Sequence, residues 1–172
     1  MANTYTLIAS STVGSGGAAN IEFTSIPSTY NNLCILYSIR SNRSEIIDGL
    51  ELTFNNSTSG YDSKDIYGTG SAAGSQGNGG TSNIAIWSCT GNTATTNTFS
   101  SVQVYIPNYS GSNYKSVSSE GVDENNATAA YMGMDAGLWS NTAAITSVKI
   151  KPTFGTLFVQ YSTAYLYGIS NS

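Results

Sequence analysis

The stretch that decides the fold is residues 155–169, which read GTLFVQYSTAYLYGI. Its larger apolar residues fall at even spacing, the period of one face of a β-strand, and they are Leu157, Val159, Tyr161, Tyr165, Tyr167 and Ile169. Phe158, Ala164 and Leu166 interrupt an otherwise polar opposite face. A strand this apolar frays or aggregates unless other strands pair with it. We therefore predict a central strand that closes the fold, flanked on both sides, with Leu157, Val159 and Tyr161 buried.

Short alternating runs separated by Gly, Asn and Ser clusters predict further strands at residues 4–13, 19–26, 33–40, 50–54, 83–89, 99–106, 114–122, 130–139 and 145–150. Residues 57–83 are less regular. Their glycine-rich part, 68–80, has too little side-chain bulk to order itself, so we predict a long loop there. With about nine or ten strands and no amphipathic helix, the sequence predicts an all-β fold. The preferred form is a β-sandwich of jelly-roll type, a single domain over residues 1–172.

The composition excludes several classes of function. Charged residues make up 9% of the 172 residues and the net charge is −4, so we expect no nucleic-acid binding, which needs clustered Lys and Arg. There is no histidine, the commonest metal ligand and general base. No apolar run approaches the roughly 20 residues of a membrane span, and the first residues do not resemble a signal peptide. Cys34 and Cys89 lie in apolar runs, which indicates buried free thiols or, alternatively, a disulfide between neighbouring strands.

Carboxylates are the remaining catalytic candidates. Asp62 and Asp65, and Asp123 and Glu124, are the candidates for a glycosidase pair or a calcium site, although the two carboxylates of a glycosidase usually come from separate strands. Acidic residues in loops are more often simply solvated, and no nucleophile motif accompanies them. We therefore expect no catalytic residues, no cofactor and no metal.

Aromatic residues near predicted loops suggest a binding surface. They lie beside Asn and Asp residues. Sugar rings stack on aromatic side chains, while amides and carboxylates accept hydrogen bonds from the sugar hydroxyls. The candidate glycan or interface contacts are Tyr61, Asp62, Tyr67, Tyr109, Tyr114 and Trp139.

Several segments resemble a group of β-rich virion surface proteins of tailed bacteriophages, notably those of cyanobacterial and other aquatic hosts. The segments are FTSIPSTYNNLCILYSIRS (23–41), GLELTFNNSTSGYDS (49–63), VYIPNYSGSNYKSV (104–117), GLWSNTAAITSVKI (137–150) and YSTAYLYGI (161–169). Where that family often has a more acidic loop after its Phe-Asn dipeptide, this chain has Asn55-Asn56-Ser57. The resemblance implies a jelly-roll domain used as a capsid decoration protein or as part of a head or tail fibre.

The expected function is therefore that of a decoration, or cement, protein. It would be made in the host bacterial cytoplasm and lie on the virion surface, where it binds the major capsid protein and braces neighbouring capsomers. No heptad-bearing or repetitive anchor precedes residue 4, which favours this role over a fibre. The alternative is a fibre-tip or receptor-binding module that recognises a host surface glycan, and a third possibility is a glycan hydrolase. Residues 33–40 and the last strand are apolar on both faces, so we also expect a homotrimer, or alternatively a dimer, that covers the second face.

Overall fold

The computed structural model describes residues 4–127 and 129–170 and contains twelve strands and no helix in that part of the chain. Residues 1–3, 128 and 171–172 of the predicted single domain lie outside the described residues. The strands are β1 (Tyr5–Thr12), β2 (Ile21–Phe23), β3 (Asn32–Ser38), β4 (Ile47–Phe54), β5 (Tyr61–Gly68), β6 (Ala73–Thr81), β7 (Ile84–Thr90), β8 (Ser101–Pro107), β9 (Lys115–Asp123), β10 (Tyr131–Trp139), β11 (Val148–Pro152) and β12 (Thr163–Ile169).

The strands form two antiparallel sheets that enclose one hydrophobic core. The larger sheet has eight strands in the order β1-β12-β3-β8-β9-β10-β5-β6, and the smaller has four in the order β2-β11-β4-β7. The core cluster takes buried side chains from both sheets, among them Leu33, Ile35 and Val104 from the larger and Leu52, Ile84 and Ile150 from the smaller. The all-β prediction is confirmed at this level.

The C-terminal strand is central, as predicted, because β12 pairs with β1 on one side and β3 on the other. Its predicted length and buried face are wrong. Residues 157–161 lie outside the strand, where Leu157 and Val159 are only half-buried and Tyr161 is 70% exposed. Tyr161 also has a φ of 73°, in the left-handed region, which ends the extended run before β12 begins.

In residues 155–169, the core takes its side chains from the face that we expected to be mainly polar. Phe158, Ala164 and Leu166 are fully buried, whereas Tyr165 lies on the outer side of the sheet. Tyrosine can leave its hydroxyl in water while its ring covers apolar surface, so the period of two alone does not decide which face is buried.

The prediction of a loop at residues 68–80 is wrong, since β5 and β6 form a hairpin at one edge of the larger sheet. The glycines of β6 give room to side chains of β5: a Cβ on Gly74 would lie 2.6 Å from the Tyr67 ring. Two carboxylates of β5 also accept backbone hydrogen bonds from β6. Asp65 Oδ1 accepts from the Gln76 N–H at 3.0 Å, and Asp62 Oδ1 accepts from the Gly80 N–H at 3.0 Å. Backbone pairing therefore orders a segment that has almost no side chains to bury.

Strand β7 is an edge of the smaller sheet and is bonded by side chains of the larger one. The Trp87 N–H donates to Ser119 Oγ at 3.0 Å, and the Ala85 N–H donates to Ser63 Oγ at 3.3 Å. The Trp87 carbonyl accepts from the Tyr37 hydroxyl at 2.5 Å. These contacts satisfy backbone groups that the interior would otherwise leave unpaired.

Glycines in the larger sheet let β7 approach closely. A Cβ on Gly121 would lie 2.4 Å from Trp87 Cδ1, and one on Gly133 would lie 2.2 Å from Trp87 Cζ3. A Cβ on Gly137 would lie 2.5 Å from Ile84 Cγ2. The indole ring of Trp87 therefore packs directly on the backbone of β9 and β10.

Polar side chains hold the loops at the ends of the sandwich. The Arg40 guanidinium donates to the carbonyls of residues 92, 94, 95 and 98 at 2.8–3.1 Å. Asn55, with a φ of 52°, accepts from the N–H groups of Thr146 and Ser147 and donates to the Ala144 carbonyl. Asn55 is thus a structural residue that joins the turn after β4 to residues 144–147.

Both cysteines are buried and free, which confirms the first of the two interpretations given above. Burial raises the pKa of the Cys34 thiol to about 11 and raises that of Cys89 as well, so both thiols stay protonated at neutral pH.

The contact between Trp87 and the glycines predicts a specific loss of stability. Replacing Gly133 by Ala places a methyl group against the Trp87 ring and the Ile66 carbonyl oxygen, and we expect the free energy of unfolding to fall by about 1–3 kcal/mol or more. Chemical denaturation measures this loss. The control is Gly16→Ala, since nothing lies within 4 Å of that position. Equal stabilities of the two variants would contradict the packing described.

Candidate functional site

The outer face of the larger sheet is one of two candidate surfaces. Strand register places one side chain from each of the eight strands in a continuous row across this face: Ser10, Tyr165, Leu36, Gln103, Glu120, Met134, Ile66 and Ser75. Next to this row, Val122 pairs with Met132, which is 63% exposed. Leu7 pairs with Tyr167 at the other end of the sheet.

Most large side chains of this face are apolar and exposed. They include Leu7, Leu36, Ile66, Val122, Met132, Met134 and Tyr165. A groove of about 760 Å³ crosses the centre of the face, where Gln103 and Glu120 separate two apolar groups. We call these residues the outer face. Because its side chains come from paired strands, it is a continuous and rigid surface.

The second surface is a cleft of about 440 Å³ between the two sheets, on the opposite side of β5 and β10. Four aromatic rings line it, from Tyr67, Trp87, Tyr131 and Phe154. Its polar side chains include the carboxylates of Asp65 and Asp135 and the side chain of Gln76. We call this surface the cleft.

Two carboxylates lie side by side in the cleft because Asp65 and Asp135 are directly opposite each other in the β5–β10 ladder. Asp135 is only 7% exposed and accepts a hydrogen bond from the Ser119 hydroxyl. Burial raises the pKa of Asp135 to about 7, and the charge of Asp65 raises it as well, against the lowering effect of the Ser119 hydrogen bond. Asp135 is therefore partly protonated near neutral pH.

A third acid, Asp123, is fully buried near the same part of β7. Its Oδ2 accepts from the Ser88 hydroxyl. Burial raises the pKa of Asp123 to about 6, although the hydrogen bond from Ser88 lowers it. Glu124, its neighbour in the sequence, instead accepts the N–H groups of Asn125 and Asn126 in the following turn. The structure thus does not join Asp123 and Glu124 into one site.

Three of the aromatic residues proposed as surface contacts are in the core. Tyr61 and Trp139 stack at 6.0 Å between ring centroids, and the Tyr61 hydroxyl accepts from the Phe54 N–H at 2.9 Å, which links the two sheets. Tyr109 is fully buried, and its hydroxyl donates to the Pro27 carbonyl. These three rings do not fit the suggested role as glycan or interface contacts, because all three occupy inward positions that a sugar ring cannot reach.

The other proposed contacts are separated in space. Tyr67 is in the cleft, together with Asp65 from the acidic pairs. Asp62 is exposed, and its pairing with Gly80 places it at the β5–β6 edge. Tyr114 is exposed just before β9. The structure therefore brings together one predicted aromatic residue and one predicted carboxylate.

Most of the cleft was missed by sequence reasoning. Trp87, Tyr131, Asp135 and Phe154 come from two strands, β7 and β10, and from the loop after β11, which are far apart in the chain. One signal was available: Asp135 stands at an inward position of an otherwise apolar strand, where a charged residue needs a partner or a function.

No group of three or more metal-ligating side chains occurs in residues 4–127 and 129–170. The same part of the chain has no helix of the length and apolarity needed to cross a membrane. Comparisons with known protein families, curated proteins and solved structures find no match to this chain.

The buried acids predict how stability depends on pH. The folded-state pKa of Asp135, about 7, lies above the value of 3.8 expected for an ordinary Asp side chain. Between these values the folded protein binds more protons than the unfolded chain, so the contribution of Asp135 to stability is lost as the pH rises from about 4 to about 7. We expect a loss on the order of 4 kcal/mol.

Replacing Asp135 by Asn removes this titrating group while leaving an acceptor for Ser119. The difference in unfolding free energy between the wild type and the variant, measured by urea denaturation at pH 4–8, should fall across that interval. A Ser116→Asn variant on exposed β9 surface should run parallel to the wild type. A pH-independent difference for Asp135→Asn would refute the assignment.

Proposed function

We propose that this chain is a structural protein on the virion surface of a tailed bacteriophage, where it acts as a capsid decoration protein of jelly-roll type. In this role it binds the major capsid protein and braces neighbouring capsomers, without a catalytic activity. The observation that carries the proposal is the outer face, where two groups of exposed apolar side chains lie on a rigid eight-stranded sheet. The resemblance to phage surface proteins supplies the identity of the partner.

The outer face has the features of a protein–protein interface. Soluble monomers rarely expose contiguous apolar patches larger than a few hundred Å². Met132, Met134 and Tyr165 belong to residue types that are common at interface centres, and Glu120 is the acidic residue in the middle of the row. With 9% charged residues the chain also has little charge repulsion to keep such faces apart.

Self-association is part of the same proposal. Leu36 of β3 and Tyr165 of β12 point to the outer face while their neighbours Ile35 and Leu166 are in the core. These two strands therefore have apolar residues on both faces, and a second copy of the chain can cover the face that the core does not. A homotrimer, with a dimer as the alternative, matches the threefold and quasi-threefold positions of a capsid lattice.

A second candidate function is supported by the cleft. The cleft combines aromatic rings with carboxylates, and this combination is common in sugar-binding sites. This favours a fibre-tip or receptor-binding module that recognises a glycan of the host surface. Decoration and glycan recognition are compatible, because the outer face and the cleft lie on opposite sides of the same sheet.

The decoration role predicts that the outer face is needed for capsid binding. We expect Met132→Lys combined with Ile66→Lys to weaken binding to decoration-free capsids by roughly tenfold or more, because a charge buried in an interface is costly. Cosedimentation with purified capsids measures this loss. In intact virions, gel densitometry should find the chain at a copy number comparable to that of the major capsid protein.

The matched control is Tyr161→Lys, a change of the same kind at an exposed position in the loop before β12, outside the outer face. It should bind capsids like the wild type, and all variants should unfold at similar denaturant concentrations, since exposed substitutions change stability little. A copy number of only tens per particle, or full binding by the outer-face variant, would reject the decoration role.

The trimer predicts a mass of about three times 18.0 kDa by light scattering of the purified protein at micromolar concentration. Leu36→Lys should shift the mass toward that of the monomer, because the new ammonium group lies in the face that copies would share. A stable wild-type monomer would remove self-association from the proposal. Only binding to the capsid would then bury the outer face.

A further inference from the structure

We propose that the cleft binds a pyranose ring of a neutral glycan, held between aromatic side chains and the carboxylates of Asp65 and Asp135. This inference deepens the second candidate function and is independent of capsid docking by the outer face. It also moves the site away from most of the residues that the sequence indicated, since Tyr61, Tyr109 and Trp139 are in the core.

The size and walls of the cleft fit such a ligand. Its volume of about 440 Å³ is within the range of small-molecule sites. Tyr67 and Tyr131 line it with an apolar ring and a hydroxyl each, while Phe154 presents a largely exposed ring. A pyranose has an apolar face of C–H groups and a rim of hydroxyls. Its apolar face can therefore contact the aromatic rings while its hydroxyls hydrogen-bond to the polar groups of the cleft.

The carboxylates supply the hydrogen-bond partners. Asp65 Oδ1 accepts the Gln76 N–H at 3.0 Å, and one oxygen of Asp135 accepts the Ser119 hydroxyl. Each carboxyl group is thus held in place by one bond and has a second oxygen. Adjacent hydroxyls of a sugar can bond to two neighbouring carboxyl groups, and such bonds are stronger than those between neutral groups.

The charges of the cleft argue against an anionic ligand. Arg43 is the basic residue among those lining it, and its guanidinium donates to the Ile47 carbonyl at 3.1 Å and lies 4.2 Å from the centre of the Phe154 ring. It therefore shapes the wall and is already engaged. The carboxylate of Asp65 and, where it is ionised, that of Asp135 offset the charge of this arginine, so the cleft has no excess of positive charge to attract phosphate, sulfate or uronic acid groups.

The backbone also favours a preformed site. Asp65 and Asp135 are in paired strands, and Trp87 is fixed on the glycines of β9 and β10. Binding groups that are already ordered lose little conformational entropy when a ligand enters. A site built on strands is also more precise than one built on loops.

The test uses the full chain and neutral hexasaccharides of glucose, mannose and galactose, with hexagalacturonate as the anionic counterpart. Tryptophan emission follows binding, because Trp87 lines the cleft and the other tryptophan, Trp139, is buried in the core. We expect at least one neutral probe to change the emission and to give a saturable isotherm by calorimetry. Binding of hexagalacturonate alone, or of no probe at millimolar concentration, would overturn the inference.

Matched variants locate the site. Asp65→Asn should weaken binding of the neutral probe by roughly tenfold or more, and Tyr67→Ala should weaken it as well. Asp62→Asn is the control, since Asp62 lies on the same strand and likewise accepts one backbone hydrogen bond from β6 but is not in the cleft. Tyr67→Phe, which keeps the ring, should retain more binding than Tyr67→Ala and so guards against a general folding defect.

The outcomes separate this inference from the proposed decoration role. Loss of glycan binding in Asp65→Asn with unchanged capsid binding supports the cleft assignment. Equal glycan binding by Asp65→Asn and Asp62→Asn would place the sugar elsewhere and reject the cleft. Release of reducing sugar from the probe, lost in Asp135→Asn, would replace simple binding by hydrolysis and reject the proposal as stated.

Discussion

The structure depends on the packing of β7 against the larger sheet. Gly121 and Gly133 have no side chain where the Trp87 ring lies, so the two sheets approach more closely there than ordinary residues permit. The serine and tyrosine side chains that bond the backbone of β7 complete this contact. β7 is the last strand of the smaller sheet, so some of its backbone N–H and C=O groups have no neighbouring strand to pair with. Because these groups are buried, they need other hydrogen-bond partners, and the side chains of the larger sheet supply them.

This packing also explains why acids are inside the protein. Ser119 links the Trp87 N–H to Asp135, and Ser88 of β7 donates to Asp123, so both carboxyl groups belong to the contact between the sheets. Burial raises the pKa of both acids, and at neutral pH this opposes stability. Of the two, Asp135 lines the cleft, whereas Asp123 is fully buried behind it.

The period of two in β5 and β10 gives the protein two separate surfaces. Met134 and Asp135 are consecutive in β10, as are Asp65 and Ile66 in β5, and each pair divides between the outer face and the cleft. A partner bound to the outer face therefore leaves the cleft accessible from the other side of the sheet. The two proposed functions, attachment to a capsid and recognition of a glycan, do not compete for the same residues.

The sequence by itself determined the fold class and ten of the strands, because alternation, proline and glycine act within a few residues of the chain. It could not reveal β5 and β6, which form a hairpin where the glycine-rich β6 pairs through its backbone, or which face of β12 is buried. It identified Asp65 and Tyr67 of the cleft but not Trp87, Tyr131 or Asp135, which meet only when distant strands pair in register. Local pattern specifies a strand, whereas long-range pairing decides which of its two faces lies inside and which side chains become neighbours.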